Sequence, residues 1–482
     1  MDDVMKQTTL PRLLIAAPKS GSGKTLITCG LLEIFKRRGL RPAACKCGPD
    51  YIDPMFHKYV LGIPGRNLDS FFLEPEEVPA VLGCLAGKEQ AGMAVLEGVM
   101  GYYDGIGGIS ERASTWEIAR ITETPAILVM DCKGASLSAA AMAAGFLNFR
   151  KNSGIRGLIL NRVSEMYYRS LAPVIEKETG IPVLGYLPQA EDYRMESRHL
   201  GLFLPGEIDA LRERIGRLAD QMERTIEIEK LLELAAAAGP LPAGPVHKTP
   251  VLTAAGNVRI GVARDEAFCF YYQENLDLME AMGAELVPFS PLRDPALPER
   301  LDGILLGGGY PENYAKELSE NTGMRWAVRA AAENGLPMLA ECGGFLYLHR
   351  LLEGSDGHFY PMAGIVDAKA FRTGKLGRFG YVSLTAPDGL TVKGHEFHYW
   401  DSENPGISWE AEKPSGNRRW QCIHERGNQI FGFPHLYYPS CPEFLSRWLT
   451  SCQSDGSAGA RRSMMPERQG EKLQKEERNN EG

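Results

Sequence analysis

The sequence predicts an α/β protein built as two α/β domains, and three observations carry that prediction. Short apolar runs alternate with helix-period segments from residue 13 to about 205. A second alternation of the same kind begins at Val258. Between them lies AAAAGPLPAGPVHKTP, about residues 235–250, rich in Pro, Gly and Ala. Alternating strand and helix signals mean βαβ units and a mostly parallel sheet with helices on both faces. A Pro- and Gly-rich stretch marks a linker. At 482 residues the chain is also too long for one ordinary core. The expected organisation is residues 1–234 as a first domain, 235–256 as linker and 257–450 as a second domain. Residues 451–482 are expected to be a disordered tail, being polar, charged and almost free of bulky apolar groups.

The first strand, Leu13–Ala17, runs into Pro18-Lys19-Ser20-Gly21-Ser22-Gly23-Lys24-Thr25. A helix follows, with Leu26, Ile27, Leu31, Ile34 and Phe35 at helical spacing and Lys36-Arg37-Arg38-Gly39 as its end. Strand, glycine-containing loop, Gly-Lys-Thr and helix is the setting of a phosphate-binding loop. Backbone N–H groups at the helix start, aided by the helix dipole, hold phosphate oxygens. Ser20, Gly21, Ser22, Gly23, Lys24 and Thr25 are therefore candidate nucleotide ligands. Lys24 would neutralise the outer phosphates, and the Thr25 hydroxyl would hold a magnesium ion, Mg2+. Pro18 stands where the consensus has its first glycine.

Further strands are expected at Ala43–Cys47, Ala94–Glu97, Ala126–Asp131, Leu158–Asn161 and Val183–Leu187, with a polar-faced helical pattern at 207–234. Open parallel sheets bind ligands beyond the carboxyl ends of their strands. Two acid-bearing strand ends should thus converge on the phosphates, Lys46-Cys47-Gly48-Pro49-Asp50-Tyr51-Ile52-Asp53 and Leu96-Glu97-Gly98-Val99-Met100-Gly101-Tyr102-Tyr103-Asp104-Gly105. Asp50 and Glu97 are the carboxylates expected to join Thr25 around the metal; for either acid alone, a helix cap or solvated turn is the plainer reading. Asp131 is expected to cap the next helix. Asn161 can donate to and accept from an adenine edge, or serve as a turn residue. Lys19 is either a solvent-facing lysine or, as in some paired P-loop ATPases, a residue acting across a homodimer interface.

In the second domain the strand Val258–Ala263 is followed by a helix near 272–282, strands Leu286–Phe289 and Leu301–Leu306, a helix at 312–334 and the strand Pro337–Glu341. Past about residue 355, aromatic-rich antiparallel segments are expected. Leu305-Leu306-Gly307-Gly308-Gly309-Tyr310-Pro311-Glu312 is a strand entering a glycine turn. Leu339-Ala340-Glu341-Cys342-Gly343-Gly344-Phe345 has the form of a nucleophile elbow, with cysteine held on a turn between strand and helix. A helix start is expected to lower the thiol pKa and to offer N–H groups to an oxyanion. Gly308 and Gly309 can supply the rest of that hole beside Gly343. A small core cysteine is the competing reading of Cys342. The base should be a histidine, from His395, His398, His424 or His435; His435, after an apolar strand-like run near the domain's end, could face Cys342 from the sheet edge, and one of His395 and His398 could face a ligand.

Bulk composition narrows the classes. Values of 44% hydrophobic and 24% charged residues are those of a soluble globular protein. No apolar run reaches the ~18–20 residues of a membrane span. The start, MDDVMKQTTLPR, lacks a signal-peptide core, so a cytoplasmic protein is expected. A net charge of −8 argues against general nucleic-acid affinity while allowing a basic pocket for an acidic ligand. Ten scattered cysteines, with Cys45 and Cys47 lacking a second pair, point to reduced thiols rather than zinc.

Taken in order, Gly-Lys-Thr, GPDYIDP, LEGVMGYYDG, GGGYPE, AECGG and GHEFHY resemble the cobyrinate a,c-diamide synthase family over about residues 11–448. The N-terminal half is similar to dethiobiotin synthetase-type P-loop ligases. The C-terminal half is similar to class I glutamine amidotransferases of the cobyrinate/cobyrate branch. The resemblance implies ATP-dependent conversion of two tetrapyrrole carboxylates, c and then a, into amides in cobalamin biosynthesis, with glutamine as nitrogen source. Its ligands would be cobyrinate or a related tetrapyrrole, glutamine and ATP, with neither nucleic acid nor membrane as partner. By motif, Cys342 would be the thiolate forming a glutamyl thioester and His435 its base. Residues 20–25, with Asn161, would bind ATP, and Thr25, Asp50 and Glu97 would surround Mg2+. Tyr51, Ile52 and Asp104 match positions tied to macrocycle binding or carboxylate orientation. Gly308, Gly309 and Gly343 would form the oxyanion and glutamine site. Tyr437 stands where many class I amidotransferases carry the Glu of a triad, so a Cys–His dyad is expected. Two alternatives stay open. One is the same diamidation on nickel-sirohydrochlorin or hydrogenobyrinate. The other is a P-loop switch ATPase with a non-catalytic second domain.

Overall fold

The strands Arg12–Ala16, Met93–Glu97, Ala126–Asp131 and Val183–Leu187 carry apolar residues on both faces, so they are stable only inside a covered parallel sheet. The computed structural model describes residues 7–190, 205–242 and 258–453. Seven strands lie in the order Gly65–Leu68, Pro42–Cys47, Met93–Glu97, Arg12–Ala16, Ala126–Asp131, Ile155–Asn161 and Val183–Leu187. Every neighbouring pair is parallel. Alternation sends Leu14, Leu96 and Leu128 into one core. Leu13, Ile15, Val95 and Ile127 enter the other, against Ile27, Leu31 and Phe35 of the helix Lys24–Arg37. Met93–Glu97 separates the first two strands in sequence, so the carboxyl end of Arg12–Ala16 lies at a topological switch point. Register then puts Ile15, Glu97 and Lys46 abreast at that end.

Several expected elements differ in detail. The edge strand Gly65–Leu68 was not foreseen, because Gly-Arg-Asn-Leu carries no apolar run. It is held by Arg66, buried and paired with Glu89 at 2.5 Å and Asp277 at 2.7 Å. The 207–234 pattern is two helices, Pro205–Thr225 and Ile228–Ala236. Within the expected linker, Leu241–Pro242 returns to pair antiparallel with Gln7–Thr8; residues 243–257 lie outside the described residues. The last helix, Pro442–Cys452, contains Ser451, where the tail was expected to begin. Residues 454–482 of that tail lie outside the described residues.

The second half centres on a six-stranded sheet in the order Ala284–Phe289, Val258–Ala263, Gly303–Leu306, Met338–Glu341, Gln429–Gly432 and His424–Arg426. It is parallel as far as Gln429–Gly432, with the last pair antiparallel. The expected helix at 312–334 is broken into a 3-10 turn, Pro311–Tyr314, and helices Ala315–Glu320 and Thr322–Glu333. Asn321 causes the break: its side chain caps the Met324 amide, and Asn favours caps over helix interiors. Beyond residue 355, an antiparallel sheet orders Arg419–Cys422, Trp409–Glu412, Phe379–Thr385, Thr391–Phe397 and His435–Leu436. Its short last strand delivers His435 toward the parallel sheet. All ten cysteines are free thiols. Among the described residues, no helix is long and apolar enough to cross a membrane.

Candidate active site

The phosphate loop keeps its shape through two glycines. Gly21 and Gly23 have φ of 75° and 103°, where a Cβ would be strained. Ser22 Oγ donates to the Lys19 carbonyl at 3.0 Å. Asn161 braces the loop from the end of Ile155–Asn161, two strands away in the sheet: its Nδ2 donates to Ser22 O at 2.8 Å, and its Oδ1 accepts from the Arg162 amide at 2.9 Å. A carboxamide has two N–H groups and two lone pairs, so one of each is left for a ligand. Lys24 Nζ donates to Met100 O at 2.5 Å and Lys19 O at 3.4 Å, which folds the LEGVMGYYDG segment over the loop. Burial, then the nearby Lys46 charge, pushes the Lys24 ammonium down to about 8. Asp104 Oδ2 accepts from the Gly101 amide at 2.9 Å. Lys19 and Ser20 are exposed.

Beneath the loop lies a buried charge cluster. Glu97 Oε1 accepts from Thr25 Oγ1 at 2.5 Å and from Lys46 Nζ at 2.9 Å. Lys46 also pairs with Asp53. Burial opposes the Lys46 charge, but Glu97 and Asp53 outweigh it and hold the ammonium well above its ordinary pKa. Burial, with Asp53 nearby, pushes Glu97 up to about 7. Its Oε2 has no hydrogen-bond partner and lies 3.8 Å from His57 Nε2. Glu97 thus meets Thr25 as expected. Asp50 is not bonded to either; its Oδ1 accepts from the Ile52 amide at 2.8 Å. The second acid joined to the cluster is Asp53. An orphaned carboxylate oxygen beside a threonine hydroxyl is an all-oxygen donor set, and it fits a small hard cation that phosphates help to hold. Among the described residues, no group of three or more His, Cys, Asp or Glu side chains forms a metal cage by itself. Asp131 does not cap the next helix, which starts at Leu137 with Ser136 before it; it binds Arg162 instead.

The second centre is built at the end of Met338–Glu341. Cys342 adopts φ 47° and ψ −101°, the strained backbone of an elbow. Its amide donates to Gly432 O at 2.8 Å, and the Gly344 amide donates to Gly307 O at 2.9 Å. Three glycines permit close packing here. A Cβ on Gly343 would come 2.9 Å from Gly309 N, and one on Gly308 would come 2.2 Å from the His435 ring. The elbow, the glycine turn and His435 are thereby brought together. His424 is used elsewhere, its Nε2 at 3.0 Å from Asn404 O. His395 faces His435 across a strand pair, and His398 stacks on Phe433 at 4.1 Å.

The expected lowering of the thiol pKa is not found. Burial, followed by the Glu312 carboxyl, pushes Cys342 well above the ordinary thiol range. The helix behind it, Gly343–Tyr347, has only five residues, and its dipole does not overcome desolvation. Burial, then His398, pushes His435 down to about 3, so thiol and imidazole both rest neutral. This yields an expected result: without glutamine, iodoacetamide labelling of Cys342 followed by peptide mass spectrometry still rises at about pH 9, beyond the pKa of a free thiol. A plateau below pH 8 would contradict it. Glu341 was not foreseen as a neighbour of the imidazole. Its Oε2 lies 4.0 Å from His435 Nδ1, while Oε1 accepts from Tyr438 at 2.7 Å. Burial pushes Glu341 up to about 8. Tyr437 carries no acid to the imidazole; its ring stacks on Phe72 at 4.7 Å and 9°.

Those contacts belong to an aromatic seam joining the two halves. Tyr51 lies 5.0 Å from the His435 ring, 4.3 Å from Tyr272 and 5.3 Å from Phe270. Tyr272 donates to Pro49 O at 3.2 Å, and Tyr381 to Asp69 at 2.8 Å. The loop bearing Asp50 is therefore in direct contact with the imidazole beside the elbow. One half presents a phosphate loop with acids, the other a cysteine elbow with a histidine.

Comparison with known proteins agrees with both halves. A model of the CobQ/CobB/MinD/ParA nucleotide binding domain matches residues 13–203. A model of the CobB/CobQ-like glutamine amidotransferase domain matches residues 259–432. The chain is 39% identical over 446 residues to a cobyrinate a,c-diamide synthase of Listeria innocua, covering 90% of this chain and 98% of that one. It is 39% identical over 452 residues to the Salmonella typhimurium protein of the same name, covering 91% and 98%. For that of Caldanaerobacter subterraneus the figures are 38% over 454 residues, 92% and 98%. The chain belongs to the cobyrinate a,c-diamide synthase family.

Proposed function

We propose that the protein makes cobyrinate a,c-diamide, amidating the c and then the a side-chain carboxylate of cobyrinate with ATP and glutamine. The reading divides the work between residues 1–234, an amide synthetase domain, and residues 257–450, a glutaminase domain. What supports it most is the contact of Tyr51 with His435, which sets the two chemistries side by side.

A carboxylate in water is not displaced by ammonia unless its oxygen first becomes a leaving group. In the first domain, the amides of residues 20–25 and Lys24 hold the phosphates of ATP, with Asn161 at the loop's edge. Thr25 and Glu97, with Asp50 from the adjoining strand end, would hold Mg2+, which supplies neutralising charge to phosphate oxygens. Tyr51, Ile52 and Asp104 orient the macrocycle so that a carboxylate oxygen attacks the γ-phosphorus and ADP departs. In the second domain, His435 takes the proton of Cys342 and the thiolate attacks the glutamine side-chain carbonyl. The amides around Gly308, Gly309 and Gly343 receive the oxyanion. His435 returns the proton to the departing ammonia, and water frees glutamate from the thioester. Ammonia then attacks the acyl carbon and phosphate leaves. Free ammonium at neutral pH is no nucleophile, so release next to the activated carbonyl matters. Lys19, exposed on the loop, is placed in this reading at the interface of a homodimer.

Incubation with ATP, glutamine and one macrocycle at a time, followed by mass spectrometry, tests the reading. Cobyrinate should gain two amides in succession. Conversion of nickel-sirohydrochlorin or hydrogenobyrinate instead would move the assignment to that macrocycle. ATP hydrolysis without amidation of any would favour a switch ATPase.

A further inference from the structure

One face of the antiparallel sheet carries a row of rings of which the mechanism above uses only the inner end. Tyr381 stands opposite His395 there, and Phe379 opposite Phe397; side chains two apart along a strand share a face. The ring centres follow one another closely. Tyr381 lies 6.0 Å from His395, His395 5.9 Å from Phe379, Phe379 5.6 Å from Phe397 and Phe397 5.8 Å from Tyr399. The inner end joins the aromatic seam, since His395 pairs with His435 and Tyr381 donates to Asp69 of the first half. The outer end opens to solvent: Phe379, Phe397 and Tyr399 are 53%, 47% and 44% exposed. Three large rings in mutual contact at the surface make a patch, not scattered apolar residues, and such patches mark binding sites.

That end of the sheet is also basic. Lys413 Nζ donates to the carbonyls of Phe379, Gly380 and Tyr381 at 2.6, 3.2 and 3.1 Å, which sets the turn after Trp409–Glu412 beside the row. Arg378, Lys413 and Arg418 lie 5.4, 5.6 and 5.5 Å from the centre of the Trp420 ring. Arg378 Nη1 is buried without a hydrogen-bond partner. The acids nearest in sequence, Glu410 and Glu412, are taken by Arg419 at 3.2 and 3.0 Å. Glu396, on the sheet's other face, feels all three cations, but burial pushes it up to about 7, so it offsets one charge at most. Like charges gathered around one ring repel until an anion joins them. The same turn touches the first half. A Cβ on Gly107, three residues beyond Asp104, would come 3.2 Å from Ser415 Oγ.

The surface is therefore apolar in the middle, cationic at its edge, continuous with the seam and beside the Asp104 loop. Its complement is a ligand with a broad apolar body and several acids around the rim. We propose that Phe379, Phe397 and Tyr399 receive an apolar face of the macrocycle, while Arg378 and Arg418 hold peripheral carboxylates that are not being amidated. The inference rests on the acceptor being a polycarboxylated macrocycle. It makes the second half part of the acceptor site, so the acceptor itself bridges the two halves.

The test measures binding of cobyrinate to the full chain by equilibrium dialysis, read from the macrocycle's own visible absorbance. The native chain is compared with Phe379→Ala/Phe397→Ala and with Arg418→Gln, whose side chains are exposed, and melting temperature reports that each is folded. The double variant should raise Kd by about 10-fold or more, the effect of losing two ring contacts. Arg418→Gln should raise it about 3- to 10-fold and flatten its dependence on salt. In amidation driven by ammonium chloride, the loss should fall on KM for cobyrinate and not on KM for ATP. Binding by the folded double variant within about twofold of the native chain would overturn the assignment alone. So would a concentration-dependent dimer lost in that variant with cobyrinate binding kept, which would give the patch to a second copy. Should the native chain prefer nickel-sirohydrochlorin or hydrogenobyrinate and the variants lose it, the surface stands and only the macrocycle changes. If the native chain binds none of the three, the assignment falls together with the proposed function.

Discussion

Replacing Cys342 with alanine is expected to abolish glutamine-dependent amidation, by about 10⁴-fold or more, while amidation from added ammonium salts persists. The asymmetry follows from where the residue sits. Cys342 belongs to the elbow after Met338–Glu341 in the second sheet, whereas the phosphate loop follows Arg12–Ala16 in the first. Alanine is smaller, and the strained φ of 47° is set by the surrounding glycines and the Gly432 hydrogen bond rather than by the thiol. Initial rates with glutamine and with ammonium chloride check it. Equal loss of both rates in a protein of unchanged melting temperature would contradict the division of labour.

The Lys24→Met variant is expected to do the reverse. Amidation should fall by about 10²–10³-fold with either nitrogen source, the effect of losing one charged group aimed at developing phosphoryl charge. Glutamine hydrolysis at Cys342 should continue. Methionine keeps most of the stem volume, so the fold is disturbed little. What disappears is the ammonium that now meets the Met100 and Lys19 carbonyls. Because burial already lowers this ammonium to about 8, raising the pH toward 9 should weaken amidation by the native chain as Lys24 discharges. An unchanged ammonia-dependent rate in Lys24→Met would remove the phosphate role from this lysine.

What could be read in the sequence depended on whether a signal was local. The run from Leu13 to Thr25 and the run from Leu339 to Phe345 carry strand, turn and helix start within a few residues, and both appear where expected. Charged residues inside buried strands were harder to read. Lys46 lies in a strand whose six residues are all buried, and its meaning depends on Glu97 arriving abreast from 51 residues away. The visible sign was a lysine in an otherwise apolar parallel strand, which needs a buried partner. His57 and Asp53 gave no periodic signal. Glu341 was hidden in plain view beside the cysteine, because its approach to His435 is set by a strand more than 90 residues later. Desolvation at Cys342 could not be inferred either, since the helix start was legible and the cover over it was not.

The aromatic seam links these observations to function. Tyr51, Asp69 and Phe72 follow the strands Pro42–Cys47 and Gly65–Leu68 of the first half, and His435, Tyr437 and Tyr381 come from the second half. A molecule that moves the Asp50–Ile52 turn must also disturb packing against the imidazole. In the proposed reading, glutamine opening then takes place next to the residues assigned to the macrocycle.

The central claim is that a carboxylate is phosphorylated before nitrogen reaches it. The most direct measurement uses cobyrinate carrying 18O in its side-chain carboxylates, with ATP and glutamine, followed by mass analysis of the inorganic phosphate. Each amide formed should deliver one 18O atom into phosphate, because the oxygen that attacks phosphorus leaves with it. Phosphate free of 18O, with amide accumulating at the same rate, would contradict the account.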